Sequence, residues 1–317
     1  MSTTPQFAVE TDPGGRFVRQ QSVFRDWVRA DGSTPFTPEA GRYHLYVSLA
    51  CPWAHRTVIV RLLKGLQHAI PMTVVDPIRD TRGWRFLPDV PDPVNGFTLL
   101  SEAYAASNPD FGGRVTVPVL WDTHHHRIVN NESADIIRML NSEFDALDGV
   151  DTSFDLYPPA LREEIDALNA RVYDDVNNGV YKTGFATTQE AYEESFDRLF
   201  ATLGELEVRL DTSRYLVGDA VTEADWRLFT TLVRFDPVYV GHFKCNEVRI
   251  ADLPNLSNYL RDLYQRPGIA GTVNLDHIKR HYYVTHRQIN GSGIVPKGPR
   301  LDWDAPHDRD RLGPAAG

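Results

Sequence analysis

Apolar positions in the first half of the chain come in short runs rich in β-favouring residues. Runs of this kind, bounded by glycine, proline and polar residues, are typical of strands. The polar stretch at 122–126, between two such runs, has the composition of a hairpin loop. The sequence therefore predicts four strands, at residues 44–49, 71–76, 115–121 and 127–130.

Helical periodicity lies between and after these strands. Over residues 53–65, Val58 and Leu62 fall on one stripe, and Pro52 suits the first turn of a helix. A second helix is predicted at 134–140. The order strand, helix, strand, insert, strand, strand, helix indicates an α/β thioredoxin-like domain, a mixed sheet with helices on its faces.

The insert at residues 77–113 is rich in Gly, Pro and Arg. We expect it to be irregular, and an irregular stretch of this length inside a compact domain is often functional.

The second half of the chain has a helical pattern throughout. Residues 222–225 (Thr-Glu-Ala-Asp) form a capping box, an opening that satisfies unpaired helix amides. Long amphipathic runs with the helical period predict an all-α region. Its helices are expected at residues 160–177, 189–210, 226–233 and 253–264.

The length of 317 residues corresponds to about two domains. A linker rich in Asp, Gly and Pro is expected between residues 148 and 159. We therefore predict an N-terminal extension at 1–40, a thioredoxin-like domain at 41–147, an all-helical domain at 155–285 and a C-terminal tail at 286–317.

The composition is that of a folded protein. Hydrophobic residues make up 42% and charged residues 24%, which fits a packed core. The net charge of −10 argues against nucleic acid or an anionic membrane as the main partner. No run approaches the ~20 apolar residues of a membrane span, and residues 1–7 lack the pattern of a secretory signal. A reducing cytoplasmic location is predicted.

Cys51 is the sharpest candidate for a catalytic residue. With only two cysteines, no disulfide framework or four-thiolate zinc site is expected. Cys51 stands between a strand and a helix start, where unpaired amides and the positive helix end favour a thiolate. His55 and Arg56, one turn on, add positive charge. Ala54 excludes a dithiol pair, which leaves a single-thiol cycle with an external thiol; the alternative is a structural cysteine buried among apolar groups.

Two further pairs of neighbouring residues, Val117–Pro118 and Glu132–Ser133, are candidates for ligand binding. Pro118 cannot donate to a sheet, so it must lie at a strand start, a bulge or an edge. A cis Val117–Pro118 bond would turn the backbone toward a peptide-like ligand; an ordinary edge proline is the alternative. Ser133 at a helix start suits a carboxylate, and Glu132 suits an ammonium group. Here the alternative is a simple helix cap.

The other residues with metal-binding or nucleophilic side chains do not predict a functional site. His124, His125 and His126 diverge at a turn, so we interpret them as a solvated turn and predict no metal site. Cys245 lies in an apolar and aromatic context, so we expect it to be inert.

These motifs together resemble the glutathione transferase superfamily: Cys-Pro-Trp-Ala-His from Cys51, then Val-Pro, then Glu-Ser, then a helical domain with its capping box. More specifically, the chain resembles the glutathionyl-hydroquinone reductases, the Xi class. Four longer motifs carry this likeness, at residues 177–186, 234–240, 242–245 and 276–282. The resemblance extends from about residue 24 to the tail.

The resemblance implies an enzyme that reduces glutathionyl-hydroquinones with glutathione as co-substrate and no metal. Cys51 would be the nucleophile. Tyr181 and Tyr282 would line the hydroquinone pocket, in a cleft between the two domains. The glutathione site would consist of Trp84, Arg114, Val117 through its backbone, Pro118, Glu132 and Ser133. The superfamily also implies a homodimer.

The residues themselves give Tyr181 a reason to lie in a cleft, because Asn178 and Gly179 interrupt helical character just before it. A phenol hydroxyl donates to a phenolate leaving group and its ring stacks on an aryl substrate; a core aromatic residue is the alternative. Two other functions stay open at this point. One is an omega-type thiol transferase or dehydroascorbate reductase, and the other is a non-catalytic binding module with the same fold.

Overall fold

The structure is a computed structural model that describes residues 10–313. These residues form two compact units. The first unit is Gln20–Asp155, and the second combines Glu10–Arg19 with the chain from Leu156 onward. The outer ends of the predicted extension and tail lie outside the described residues. The segment on which the signal-sequence prediction rests also lies outside them.

The first unit alternates strands and helices in the predicted order. Its elements are β1 (Tyr43–Val47), α1 (Pro52–Leu63), β2 (Met72–Val74), α2 (Leu100–Ser107), β3 (Val119–Asp122), β4 (Arg127–Asn130) and α3 (Ser133–Ser142).

Within this unit the strands form a mixed sheet of order β2-β1-β3-β4. β1 pairs in parallel with β2, so that Leu45 faces Met72, and it pairs antiparallel with β3, so that Leu45 also faces Leu120. Every residue of β1 and β3 is buried, as expected of central strands. β3 begins at Val119, directly after Pro118, because proline has no amide to donate to the ladder.

The expectation that residues 77–113 lack regular structure is wrong, because α2 lies inside this insert. The start of α2 is stabilised by Glu102, whose Oε1 accepts hydrogen bonds from the Thr98 amide at 2.9 Å and the Leu99 amide at 2.8 Å. An acidic residue three positions after the cap is a helix-start signal. The prolines and glycines around this signal dominate the sequence pattern and conceal it.

The second unit is helical, as predicted. Its helices are α4 (Arg162–Val172), α5 (Gly179–Gly184), α6 (Gln189–Thr212), α7 (Glu223–Arg234), α8 (Val240–His242), α9 (Pro254–Tyr264) and α10 (Leu275–Thr285).

Two helices of this unit continue into short π-helical turns, Tyr173–Asn177 after α4 and Phe235–Tyr239 after α7. The predicted capping box is confirmed: the Thr222 amide donates to the Asp225 carboxylate at 2.8 Å and opens α7, a helix buried along its whole length. Of the described helices, none has both the length and the apolar character that crossing a bilayer requires.

Candidate active site

Cys51 immediately precedes α1, with extended backbone and with Pro52 in the first helical turn. Its side chain is partly accessible. No residue in the first turn of this described helix is acidic. The positive potential of the unpaired helix amides is therefore not opposed from within the helix, and such a position favours a thiolate.

A buried cation lies one turn beyond the thiol. Arg56 is 1% exposed, and its guanidinium carbon lies 4.5 Å from the centre of the Trp53 ring. Its Nη1 donates to the Ser133 hydroxyl at 3.4 Å. Arg56 thus connects α1 to the start of α3, where its charge suits an anion because buried charges are poorly screened.

The Cys51 thiol contacts the backbone of the Val117–Pro118 dipeptide. The peptide bond between these two residues is cis, and the Cys51 Sγ donates to the Val117 carbonyl at 3.5 Å. The Cys51 amide also donates to the Ser48 carbonyl at 3.1 Å, which fixes the turn that joins β1 to α1. Two predicted site segments that are 66 residues apart in sequence are therefore in contact.

Glu132 and Ser133 form the start of α3. Glu132 is the N-cap residue, and its Oε1 accepts a hydrogen bond from the Ala134 amide at 3.1 Å. Its Oε2 accepts from the Ser22 hydroxyl at 3.0 Å. The predicted helix cap is therefore present. A carboxylate beside a hydroxyl at a helix start also suits the ammonium and carboxylate groups of an amino-acid ligand.

A tyrosine that the sequence analysis did not single out joins these loops. Tyr104 of α2 is buried, and its hydroxyl donates to the Thr116 carbonyl at 2.9 Å and accepts from the Thr116 amide at 3.1 Å. Asn131 donates its side-chain amide to the same hydroxyl, also at 3.1 Å. Tyr104 therefore holds both the residue before Val117 and the residue before Glu132. Its position on α2 is the signal that could have indicated Tyr104, and the sequence analysis does not predict that helix.

Trp84 and Arg114, the other two predicted ligands of glutathione, stand on either side of α2 in the chain. Trp84 is 4% exposed, and the Arg79 guanidinium lies 5.6 Å from its ring centre. The Arg114 amide donates to the Gln20 Oε1 at 2.8 Å, and the Gln20 side-chain amide donates back to the Arg114 carbonyl at 3.4 Å. The Gln20 contacts hold the backbone at Arg114, and the predicted roles of Trp84 and Arg114 in binding glutathione stay predictions.

In the second unit, the two predicted tyrosines meet each other. The hydroxyl of Tyr181 lies 2.6 Å from that of Tyr282, and Tyr282 lies 3.0 Å from the hydroxyl of Tyr239. Tyr239, which the sequence analysis did not propose, lies in the π-helical turn after α7 and falls within the 234–240 motif. The three hydroxyls form a chain that begins at the partly accessible Tyr181 and ends at the fully buried Tyr239.

Burial determines which end of this tyrosine chain is reactive. It raises the pKa of Tyr282 and of Tyr239 well above the ordinary value for a phenol. Both inner hydroxyls are therefore protonated, and the chain is a set of donors whose outer end is Tyr181. Donors of this kind stabilise negative charge that develops on an oxygen atom placed next to them.

The structure also places the other residues with nucleophilic or metal-binding side chains. Cys245 is fully buried, and burial raises the pKa of its thiol far above the usual range. His125 lies at the turn after β3, with its Nδ1 2.7 Å from the Asp122 carboxylate. Among residues 10–313, no three metal-binding side chains come together as a candidate metal site.

Comparison with known proteins places the chain in a family. Residues 50–143 match the glutathione S-transferase N-terminal domain, and residues 189–262 match the glutathione S-transferase C-terminal domain. The glutathionyl-hydroquinone reductase YqjG of Escherichia coli is 54% identical over 94% of this chain and 93% of its own. The glutathionyl-hydroquinone reductase PcpF of Sphingobium chlorophenolicum is also 54% identical, over 90% of each chain.

Solved structures agree with this placement. The glutathione-bound structure of YqjG has a TM-score of 0.87 and covers 91% of this chain and 96% of its own. The Xi glutathione transferase of Phanerochaete chrysosporium is 50% identical, with a TM-score of 0.89 over 94% of this chain and 97% of its own. Identity at this level over nearly the full length shows common descent as well as a common fold. The chain therefore belongs to the glutathionyl-hydroquinone reductases, the Xi class of the glutathione S-transferase family.

Proposed function

We propose that this protein reduces S-glutathionyl-hydroquinones to hydroquinones, with Cys51 as nucleophile and glutathione as the second substrate. The observation that carries the proposal is the thiol at the start of α1, in contact with the Val117 carbonyl, in a chain of this family. The known relatives YqjG and PcpF are named for the same reaction.

The first step is binding of the glutathionyl part of the substrate in the first unit. Its α-carboxylate suits Ser133 and the amides at the start of α3, next to the Arg56 charge. Its ammonium group suits the Glu132 carboxylate. A peptide ligand that pairs with the Val117 backbone would be held beside the thiol. We assign Trp84 and Arg114 to the same ligand.

The second step exchanges one bond to sulfur for another. The ring carbon that bears the sulfur first gains a proton while the neighbouring ring hydroxyl loses its own, so that the substrate is in its keto form. The Cys51 thiolate attacks the glutathionyl sulfur, a disulfide bond forms, and the carbon–sulfur bond breaks. Its electron pair becomes the phenolate of the hydroquinone, and a donated hydrogen bond from Tyr181, supported by Tyr282, stabilises that oxygen.

The third step regenerates the enzyme. A second glutathione, as thiolate, attacks the mixed disulfide at the glutathione sulfur and releases glutathione disulfide and the Cys51 thiolate. Over the whole cycle the substrate ring gains a proton and the electron pair of the carbon–sulfur bond. Two glutathione sulfurs are oxidised to one disulfide.

Mass spectrometry tests the reaction directly. Mixing the protein with glutathionyl-menadiol, the hydroquinone form of glutathionyl-menadione, should add one glutathione to the chain at Cys51, and added glutathione should remove it. Cys51→Ser should form no adduct and show no turnover, whereas Cys245→Ser should leave adduct formation unchanged because that thiol is buried. Full turnover by Cys51→Ser would refute the mechanism, and faster reduction of dehydroascorbate than of the glutathionyl substrate would favour the omega-type alternative.

We also infer that the protein is a homodimer and works in the cytoplasm. The family relationship supports the first inference. The second rests on the need of both the thiol and glutathione for a reducing compartment. Light scattering after size-exclusion chromatography tests the dimer, and a monomer mass would contradict it. Fractionation of the source cells tests the location, which recovery of the protein outside the cytoplasmic fraction would contradict.

A further inference from the structure

The residues at 10–19 form a small hairpin that belongs to the helical unit. Thr11 and Phe17 are paired across it, and the Gly15 amide donates to the Asp12 carbonyl at 3.0 Å in the turn. Gly15 has a φ of +80°, and a Cβ there would lie 2.7 Å from the Thr187 hydroxyl. This close approach to the start of α6 requires glycine.

Further contacts fix the hairpin on the helices. The Thr187 amide donates to the Gly15 carbonyl at 3.0 Å, and Arg16 forms a 2.8 Å ion pair with Glu194. Phe17 is 6% exposed and stacks on Tyr181, with ring centres 6.3 Å apart. The hairpin is therefore a built part of the unit that contains the tyrosine chain.

Arg19, at the end of this hairpin, lies over Tyr181. Its guanidinium carbon is 4.7 Å from the centre of the Tyr181 ring and 5.2 Å from that of Phe17. Its Nε donates to the side-chain oxygen of Asn178 at 2.7 Å. Asn178 precedes α5, the helix that carries Tyr181, so both contacts orient the guanidinium on the ring face.

We propose that Arg19 is a positioning residue that acts through Tyr181, strengthening the hydrogen bond that this phenol donates to the leaving oxygen of the hydroquinone. The inference rests on the proposed function and extends it to a residue of the N-terminal hairpin.

The reason is electrostatic. When Tyr181 donates to a developing phenolate, electron density shifts from its hydroxyl into its ring. A cation over the ring face is attracted more strongly to this electron-rich ring than to the ring of a phenol that does not donate such a bond. The contact with Arg19 therefore becomes more favourable in the transition state than in the ground state, which is the condition for acceleration.

The test is a double-mutant cycle on single-turnover formation of the mixed disulfide. Arg19→Met should slow this step by about fivefold to tenfold, the range of a partly desolvated cation–π contact. This loss of rate should be larger for substrates whose hydroquinone is a poorer leaving group. In a Tyr181→Phe background, Arg19→Met should have almost no further effect, because the hydroxyl on which it acts is absent.

Two variants separate positioning from loss of fold. Arg19→Lys keeps the cation and should remain within about twofold of the wild-type rate. Arg16→Met, on the same hairpin, removes an exposed ion pair that contributes little to the docking of the hairpin, so it should leave the rate unchanged. Additive losses in the double mutant, or equal losses for Arg19→Lys and Arg19→Met, would overturn the inference while the wild-type activity stands. If the wild type itself forms no mixed disulfide, the proposed function is wrong.

Discussion

The C-terminal tail contributes to stability through one buried arginine, and its removal has a calculable effect. Arg309 is 0% exposed. Its Nη1 donates to the Leu210 carbonyl at 2.6 Å, and its Nη2 donates to the Arg214 carbonyl at 2.9 Å and to the Ser213 carbonyl. The Leu210 carbonyl lies in the last turn of α6, where helix carbonyls have no partner within the helix, and the Ser213 and Arg214 carbonyls follow directly after the helix ends. The side chain therefore caps α6 from almost a hundred residues away.

Arg309→Met keeps most of the volume and removes the three bonds. A buried acceptor that loses its donor costs about 1–3 kcal/mol. We take the low end of this range because the native state also desolvates the fully buried Arg309 guanidinium, and this burial lowers its pKa. At ~1 kcal/mol for each of the three carbonyls, the free energy of unfolding should fall by about 3 kcal/mol. For a unit of this size that lowers Tm by about 6–12 °C.

Thermal unfolding followed by circular dichroism at pH 7 measures the shift. Arg311→Met is the matched control, since Arg311 lies in the same tail and donates to the Asp211 carbonyl at 2.8 Å, but its side chain is 39% exposed. Its loss should change Tm by no more than about 2 °C. Equal shifts for the two variants would refute the claim that burial gives the Arg309 contacts their strength.

Other features of the structure predict measurable effects. Tyr104→Phe removes the hydroxyl that holds the two binding loops, so we expect about 1–3 kcal/mol less stability in urea titrations and a raised KM for glutathione. Burial lowers the pKa of His242 to about 4, so below pH 6.5 the unfolded chain binds a proton that the native chain does not. Stability should therefore fall as pH drops from about 6.5 toward 4, less steeply in His242→Gln. Gly184→Ala places a Cβ 2.2 Å from the Phe243 ring and should destabilise by about 1–3 kcal/mol, whereas Gly204→Ala, which meets nothing within 4 Å inside α6, should stabilise by about 0.5–1 kcal/mol.

Each of these expectations has a result that contradicts it. An unchanged KM for glutathione in Tyr104→Phe would mean that the loops hold their positions without the hydroxyl. The same pH dependence in the wild type and in His242→Gln would place the titrating groups elsewhere. Equal effects of alanine at the two glycines would show that local helix propensity outweighs the contact with Phe243.

The sequence by itself indicated the elements and the local chemistry of the site. Cys51 before Pro52, and Glu132 before Ser133, are helix-start patterns that depend on neighbours within one turn. The capping box at Thr222 is of the same kind. Periodicity likewise predicted the strands and most helices to within a few residues. The helices α2, α5, α8 and α10 were not predicted, and α2 is hidden because its start signal is short and lies among prolines and glycines.

The tertiary structure alone decided which distant residues meet. Arg19 over Tyr181, Tyr104 between two loops and Arg309 at the end of α6 each join residues that no local pattern connects. Their side chains are selected by the shape and the unpaired polar groups of a packed surface, and that surface exists only after the helices and strands have docked. Helix caps and periodic stripes, by contrast, arise from backbone geometry within a few residues, which is why they can be read directly from the chain.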